Sequence, residues 1–261
     1  MFSLPVIAVA SALLKVATAT DVFAHFMVQN AYAYDVNQWK TDMAAAQQMG
    51  VDGFALNWIP PDCESGLDWT VDRIDDAYTA AQSVGFKLMQ SFDMSYSSCN
   101  TYWNQTFMQT MISKYAGNSA AYRWNSNLLV STYGGDQVTE YGNEFFQGLK
   151  DNMKSSNPIT LAPALTTYSM DAQTDASSAA SSLMSDYTSI DGYFNWQAWP
   201  LNVQQNTTVT PDQAFQSAIK SNGRSGPYIM GRSRKGFQVK VARANTYLSC
   251  LTVAVQGSQR R

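Results

Sequence analysis

The sequence predicts an α/β fold of the (β/α)8 TIM-type barrel class. Short apolar runs recur at regular intervals, segments with helical periodicity lie between them, and polar or aromatic residues follow nearly every run. The runs start 31 to 41 residues apart, at Val22, Gly53, Lys87, Leu128, Ile159, Asp191 and Pro227. About seven βα units therefore fit into the first 231 residues, and we expect an incomplete barrel.

The segments between the runs have the pattern of amphipathic helices. One apolar face is formed by Val71, Ile74, Tyr78, Ala81 and Val84, and Gly85 follows where a helix would end. Further on, Thr210-Pro211-Asp212 combines an N-cap, a proline in the first turn and an early acid. Helices that alternate with apolar strands predict a parallel sheet covered by crossover helices.

A doubly wound open sheet would give the same alternation of strands and helices. Two further details distinguish between the open sheet and the barrel. No glycine-rich nucleotide loop follows the first strand, which removes the commonest reason for an open sheet. Polar and aromatic residues also gather at the carboxyl ends of the strands, where a barrel builds its active site. Both details favour the barrel.

Composition and charge divide the chain into unlike parts. With 45% hydrophobic and 13% aromatic residues, the chain can bury a sizeable core. Residues 1–231 contain all 20 acidic residues and 10 Lys/Arg, whereas residues 232–261 contain 7 Lys/Arg and no acid. We therefore expect a barrel over residues 20–231 and a divergent basic tail over 232–261. The acidic body argues against nucleic acid as a partner.

The N-terminal residues predict secretion. An apolar stretch from Leu4 to Leu14 is followed by Ala17-Thr18-Ala19, which predicts a signal peptide over residues 1–19; an N-terminal strand or anchor is the alternative. We expect an extracellular or cell-wall monomer with no membrane attachment after cleavage. Asn104 and Asn206 lie in N-x-[ST] glycosylation triplets. Cys63 and Cys99 either pair as a disulfide or remain free thiols.

The residues at the strand ends suggest a carbohydrate site, because sugars stack on aromatic rings and need hydroxyl partners. The candidate substrate-binding residues are His25, Asn57, Trp58, Asp93, Tyr133, Asn195, Trp196, Gln197 and Trp199. His25 is the only histidine, so a multi-histidine metal site is excluded. No nucleotide loop or Gly-x-Ser-x-Gly elbow is present either.

Hydrolysis by carboxylates is then the simplest chemistry, and glycosidases usually need two of them. Asp93 and Asp136 are the acids at strand carboxyl ends and are the fallback catalytic candidates. Each has a structural alternative: Asp93 could cap a helix or bond a loop, and Asp136 could be a turn residue after Gly134-Gly135. His25 could equally be a hydrogen-bonded barrel residue.

Several strings of residues resemble glycoside hydrolase family 71, the α-1,3-glucanases or mutanases. They include Val22–Val28, Gly50–Asn57, Gly85–Leu88 with Ser91–Met94, Val130–Thr132, Asp191–Pro200 and Tyr228–Gly231. Their order and spacing extend the resemblance over about residues 21–231.

The resemblance implies a (β/α)8 barrel that hydrolyses α-1,3-glucan with inversion, without a metal or organic cofactor. It also implies that both catalytic acids lie in an Asn-Asp-x-x-Glu segment at the final strand. No such segment occurs in this chain, and a basic tail follows Gly231.

Three hypotheses follow: a glucanase whose activity is lost with the late acids, a non-catalytic glucan-binding barrel, or a poorly folded fragment. For a barrel without its last unit we expect unpaired edges on the first and last strands, although the run Leu248–Val255 could supply a makeshift strand.

Overall fold

The computed structural model describes residues 21–61, 69–95, 103–196 and 208–231, and the backbone of three short strands beyond them. The strands are β1 (Asp21–Met27), β2 (Gly53–Trp58), β3 (Lys87–Asp93), β4 (Arg123–Trp124), β5 (Asn127–Tyr133), β6 (Ile159–Leu161), β7 (Tyr193–Asn195), β8 (Tyr228–Met230), β9 (Gln238–Lys240), β10 (Tyr247–Ser249) and β11 (Val253–Val255). The helices are α1 (Val36–Gln48), α2 (Trp69–Val84), α3 (Gln105–Lys114), α4 (Asn143–Met153), α5 (Thr166–Asp171), α6 (Ala176–Asp186) and α7 (Thr210–Ser221). All seven strands expected from the apolar runs are present.

Seven strands run parallel and follow the chain around a barrel. β1, β2, β3, β5 and β6 pair as successive parallel neighbours, and β7 pairs in parallel with β8. Three backbone hydrogen bonds join the β6 and β7 segments: Asp191 and Gly192 donate to the Leu161 carbonyl at 2.9 and 3.1 Å, and Phe194 donates to that of Pro163 at 2.9 Å. The prediction of an α/β barrel is thereby confirmed.

The eighth position of the barrel is occupied by β11, which runs opposite to the other seven strands. It pairs antiparallel with β1 on one side and with β8 on the other, so Ala254 faces both Val22 and Met230. The expectation of unpaired edges on β1 and β8 is therefore wrong. The makeshift strand expected within Leu248–Val255 is present, because an antiparallel strand satisfies the backbone donors and acceptors of those edges.

Side chains alternate along the strands between the barrel interior and the surrounding helices. The interior cluster contains Phe23, Ala55, Met89, Leu129, Phe194 and Ile229. Residues an odd number of positions away on the same strands, such as Phe26, Phe54 and Phe92, join the larger core beneath the helices. Phe26 packs on Trp39 of α1 with ring centroids 4.5 Å apart. Each such buried aromatic side chain contributes roughly 1.5–3 kcal/mol through burial.

The helix ends follow local sequence signals. Asp35 and Gln38 form a capping box at the start of α1. Gly85 directly follows α2 with φ of 71°, which confirms the end expected there. α7 begins at Thr210 with Val209 in the N-cap position, one residue before the expected cap, and buries Phe215 and Ile219.

The amino-terminal end of the barrel is closed by packing. The Tyr122 hydroxyl donates to the Asp21 carboxylate at 2.6 Å, and its ring lies edge-on to Phe23 at 4.7 Å. Gly53 leaves room for Phe23, since a Cβ at Gly53 would lie 2.3 Å from that ring. Asp191 pairs with Lys150 at 2.7 Å on the same side, as expected for an acid at the start of a strand. Within the described residues, no helix is long and apolar enough to cross a membrane.

Candidate functional site

The carboxyl-terminal end of the barrel interior carries a group of polar and aromatic side chains. Strand alternation places His25, Asn57, Asp93 and Tyr133 on the same inner side as the hydrophobic residues below them. Trp196, directly after β7, packs against that interior cluster. These five predicted substrate-binding residues therefore converge on one end of the barrel, and we call them with Ser91 the inner ring.

A hydrogen-bonded chain connects β1, β2 and β3 in the inner ring. Asn57 donates its amide N–H to the Ser91 hydroxyl at 3.3 Å, and its side chain also bonds His25. Because the amide nitrogen of Asn57 points to Ser91, its amide oxygen is left to accept a hydrogen bond from an imidazole N–H. The chain fixes the orientation of the His25 ring.

His25 is held in its neutral form. Burial lowers the pKa of its imidazole to about 3, although the bond to Asn57 opposes this shift. The buried Nε2 atom has no hydrogen-bond partner. The ring lies edge-to-face with Trp196 at a centroid distance of 4.4 Å. With one nitrogen bonded to Asn57, the neutral ring carries its lone pair on Nε2.

Asp93 is the acid of the inner ring. Its side chain is 8% exposed, and burial raises the pKa of the carboxyl group. The Ser95 amide and hydroxyl donate to it at 3.1 and 2.7 Å, which opposes the shift. Thus Asp93 both bonds the neighbouring loop, as in its structural alternative, and reaches the interior. A raised pKa suits a group that must deliver a proton.

Aromatic rings form one wall of the inner ring. Trp196 lies 4.5 Å from Tyr133 and 4.8 Å from Phe194, measured between centroids. Burial, together with the charges of Asp93 and Asp136, raises the pKa of the Tyr133 hydroxyl, so this hydroxyl stays a hydrogen-bond donor at neutral pH. Apolar ring faces and a phenolic donor side by side suit a sugar ring with its hydroxyls.

Two predicted binding residues point away from the interior, and these assignments are corrected. Trp58 is fully buried, donates to the Gln90 side chain at 3.0 Å and packs on Trp103 at 4.9 Å. Asn195 donates to Asp212 of α7 at 3.2 Å. Each lies one position from an inward-facing neighbour, so strand alternation directs its side chain into the helix layer.

The Asp136 carboxylate caps the amino-terminal end of a helix. Its two carboxylate oxygens accept the backbone N–H groups of Thr166 and Thr167 at 3.0 and 2.7 Å, at the start of α5. Asp136 therefore serves as a cap supplied from the preceding loop rather than as a simple turn residue. Its oxygens already have partners.

The remaining predicted residues have different positions. Asn104 is exposed and caps α3, its side-chain oxygen accepting from Thr106 and Phe107. Gln197, Trp199, Asn206, Cys63 and Cys99 lie outside the described residues. Ser91, which the sequence reasoning missed, is recognisable only by its spacing of two residues from Asp93 on one strand face. In the described part of the chain, no cluster of three or more His, Cys, Asp or Glu could hold a metal ion.

A closed α/β barrel with polar and aromatic side chains at the carboxyl ends of its strands is a typical enzyme architecture. The family model described as "Glycosyl hydrolase family 71" matches residues 18–253. The chain belongs to this family. The match passes Gly231, where the recognisable motifs end, and reaches β11.

Two curated relatives and one solved structure extend the comparison. The chain is 31% identical over 223 residues to glucan endo-1,3-alpha-glucosidase agn1 of Schizosaccharomyces pombe, covering 82% of this chain and 47% of that protein. It is 33% identical over 179 residues to the mutanase Pc12g07500 of Penicillium rubens, covering 69% and 34%. The chain thus spans half or less of the length of either relative. A GH99 endo-alpha-mannosidase from Bacteroides thetaiotaomicron has a similar fold, with a TM-score of 0.57 at 10% identity over 81% of this chain and 68% of that one.

Proposed function

We propose that this protein acts on α-1,3-glucan and that the glucan chain binds over the inner ring at the carboxyl-terminal end of the barrel. The names of two relatives, a glucan endo-1,3-alpha-glucosidase and a mutanase, support the substrate and an endo mode of action. The observation that carries the proposal is the convergence of His25, Asn57, Asp93, Tyr133 and Trp196 inside the barrel.

The inner ring supplies the contacts that a glucose unit needs. Trp196 and Tyr133 offer ring faces to sugar C–H groups, and the Tyr133 hydroxyl offers a donor. Since neutral groups make these contacts, a neutral polysaccharide is the suitable ligand.

In the hydrolytic reaction, Asp93 is our candidate for the general acid. It would donate its proton to the glycosidic oxygen as the bond from that oxygen to the anomeric carbon breaks. A second carboxylate would take a proton from water, whose oxygen attacks the anomeric carbon from the opposite face and inverts its configuration. The raised pKa of Asp93 supports the donor role.

The second carboxylate is not Asp136, because the carboxylate oxygens of Asp136 bind the start of α5. The Asn-Asp-x-x-Glu segment that the resemblance implies is absent from the sequence. This observation favours a second candidate function for the 261-residue chain, namely glucan binding with little or no hydrolysis.

The two candidates are separated by measuring binding and turnover on one protein preparation. We expect the purified chain to sediment with insoluble α-1,3-glucan and Trp196→Ala to lose this binding, whereas reducing ends should be released slowly or not at all. Asp93→Asn is the matched variant for turnover. Rapid release of reducing ends that Asp93→Asn abolishes would establish the hydrolase and reject the binding-only candidate. Absence of sedimentation would reject both.

We also propose the setting of this activity. Residues 1–19 would direct secretion, residues 20–231 would form the sugar-binding barrel, and residues 232–261 would contribute its closing strand. The Cys63–Cys99 disulfide and glycans on Asn104 and Asn206 would fit an extracellular or cell-wall monomer. Exposure of Asn104 at the start of α3 supports its accessibility.

A further inference from the structure

The large hydrophobic side chains that stay exposed in the described residues all lie on one face of the barrel. They are Met27, Tyr32, Met170 and Val209. Met27 ends β1 and Tyr32 follows it, Met170 lies in α5 after β6, and Val209 precedes α7. Each therefore lies at the carboxyl end of a strand or in the connection that follows it. A single exposed apolar residue needs no explanation, but confinement to the face with the inner ring does.

Tyr32 is the most exposed of the four residues, and its ring packs against a second aromatic side chain. Its side chain is 68% exposed and lies edge-to-face with Trp69 at a centroid distance of 5.1 Å and an interplanar angle of 85°. One edge-to-face neighbour covers at most one face of the Tyr32 ring. At least one aromatic face is therefore open to solvent and held in a defined orientation.

Tyr32 lies on the segment that follows the inner-ring strand β1. Met27 lies two residues after His25, on the same side of β1, and is 45% exposed. The 3-10 helix Val28–Ala31 then leads directly to Tyr32. On the neighbouring strand, Asn57 lies at the end of β2, and Trp69 begins the helix that follows it. Tyr32 and Trp69 therefore lie on the connections that follow β1 and β2, the two strands that carry His25 and Asn57.

We propose that Tyr32, supported by Trp69, forms an outer subsite that stacks on a glucose unit of the same α-glucan chain whose other units occupy the inner ring. This inference rests on the proposed function and adds to it a preference for chain length. A flat, uncharged ring suits the C–H face of a sugar. Because a phenol ring that stacks on a sugar supplies contact area, the subsite contributes affinity and not chemistry.

The test compares a short α-1,3-linked gluco-oligosaccharide, long enough only for the inner ring, with a long one in titration calorimetry. Wild type should bind the long ligand more tightly. Tyr32→Ala should weaken the long ligand by about three- to tenfold and leave the short one unchanged, whereas Tyr32→Trp should retain long-ligand affinity. The exposed position makes Tyr32→Ala compatible with folding, which the unfolding transition of each variant checks.

The outcomes distinguish the subsite from the function on which it rests. If wild type binds neither ligand, the proposed function fails and the subsite with it. If wild type binds both ligands but Tyr32→Ala affects both equally or neither, the subsite alone is overturned. A Tyr32→Trp variant as weak as Tyr32→Ala would likewise overturn stacking as the cause.

Discussion

At the scale of single residues, the side of the strand on which a side chain lies decides its role. His25, Asn57 and Asp93 point into the barrel and share contacts, whereas Trp58 and Asn195, each next to an inward-facing residue, point into the helix layer. Position at a strand end is readable from sequence. The side of the strand is known only once the strand register is known, so the sequence alone does not separate inward-facing residues such as Asn57 from neighbours such as Trp58 that lie in the helix layer.

His25 permits a direct test of this buried environment. With a pKa of about 3, it should show no imidazole titration near pH 6.5 in the folded protein. As the only histidine, it gives one pair of imidazole C–H signals, from Cδ2 and Cε1, and NMR can follow the Cε1 signal with pH. The same signal in the urea-unfolded chain is the control and should titrate near 6.5. A folded-state inflection between pH 6 and 7 would contradict the buried neutral ring.

The lowered pKa of His25 also makes the stability of the folded protein depend on pH. Below pH 6.5, His25 binds a proton in the unfolded chain but not in the folded protein. The unfolded state is therefore stabilised relative to the folded state as the pH falls. The contribution of His25 is therefore present above pH 6.5 and lost toward pH 3, with a limiting slope of about 1.4 kcal/mol per pH unit. Burial of Asp93, whose pKa is raised, acts in the opposite sense, because there the folded state retains its proton longer.

At the scale of elements, the long apolar strands and the helices with clear ends were predictable. β2, with six buried residues, and α2, which ends at Gly85, carry strong local signals. β4, with the two residues Arg-Trp, and β9, with Gln-Val-Lys, lack the apolar runs that mark the equally short β6, β7 and β8. The positions of β4 and β9 depend on which strand edges lack a hydrogen-bonding partner. Only the assembled sheet determines this.

The short helix α5 gives a prediction at this scale. Asp136→Ala removes the acceptor of two backbone N–H groups at the start of α5 and should lower the free energy of unfolding by about 1 kcal/mol. Asp136→Asn keeps an acceptor oxygen and should cost less. Chemical denaturation of both variants measures the difference. Equal stability of Asp136→Ala and wild type would contradict the capping role and reopen a catalytic one.

At the scale of the whole molecule, closure of the barrel depends on a strand from the basic tail. Seven parallel strands leave the edges of β1 and β8 to be joined, and β11 joins them in the antiparallel direction. A barrel removes exposed edges, which would otherwise pair with other molecules. The segment that departs from the recognisable motifs is therefore integral to the fold.

Deletion of residues 232–261 tests this dependence. Without β11, the edges of β1 and β8 should be exposed, so we expect a less cooperative thermal transition and self-association that increases with concentration. Light scattering coupled to size-exclusion chromatography measures the association. Deletion of residues 256–261 alone keeps β11 and serves as the control. A monomeric, cooperatively folded chain after the longer deletion would show that β11 is dispensable.

The register of β11 on β1 pairs Asp21 with Val255, so the described part of the barrel starts and stops at adjacent positions. Both lie on the face opposite the inner ring. Neighbouring chain ends are the condition under which circular permutation succeeds. A short linker from Val255 to Asp21 would thus turn the barrel into a continuous ring of sequence, and new ends could be opened in a helix–strand connection without disturbing the inner ring.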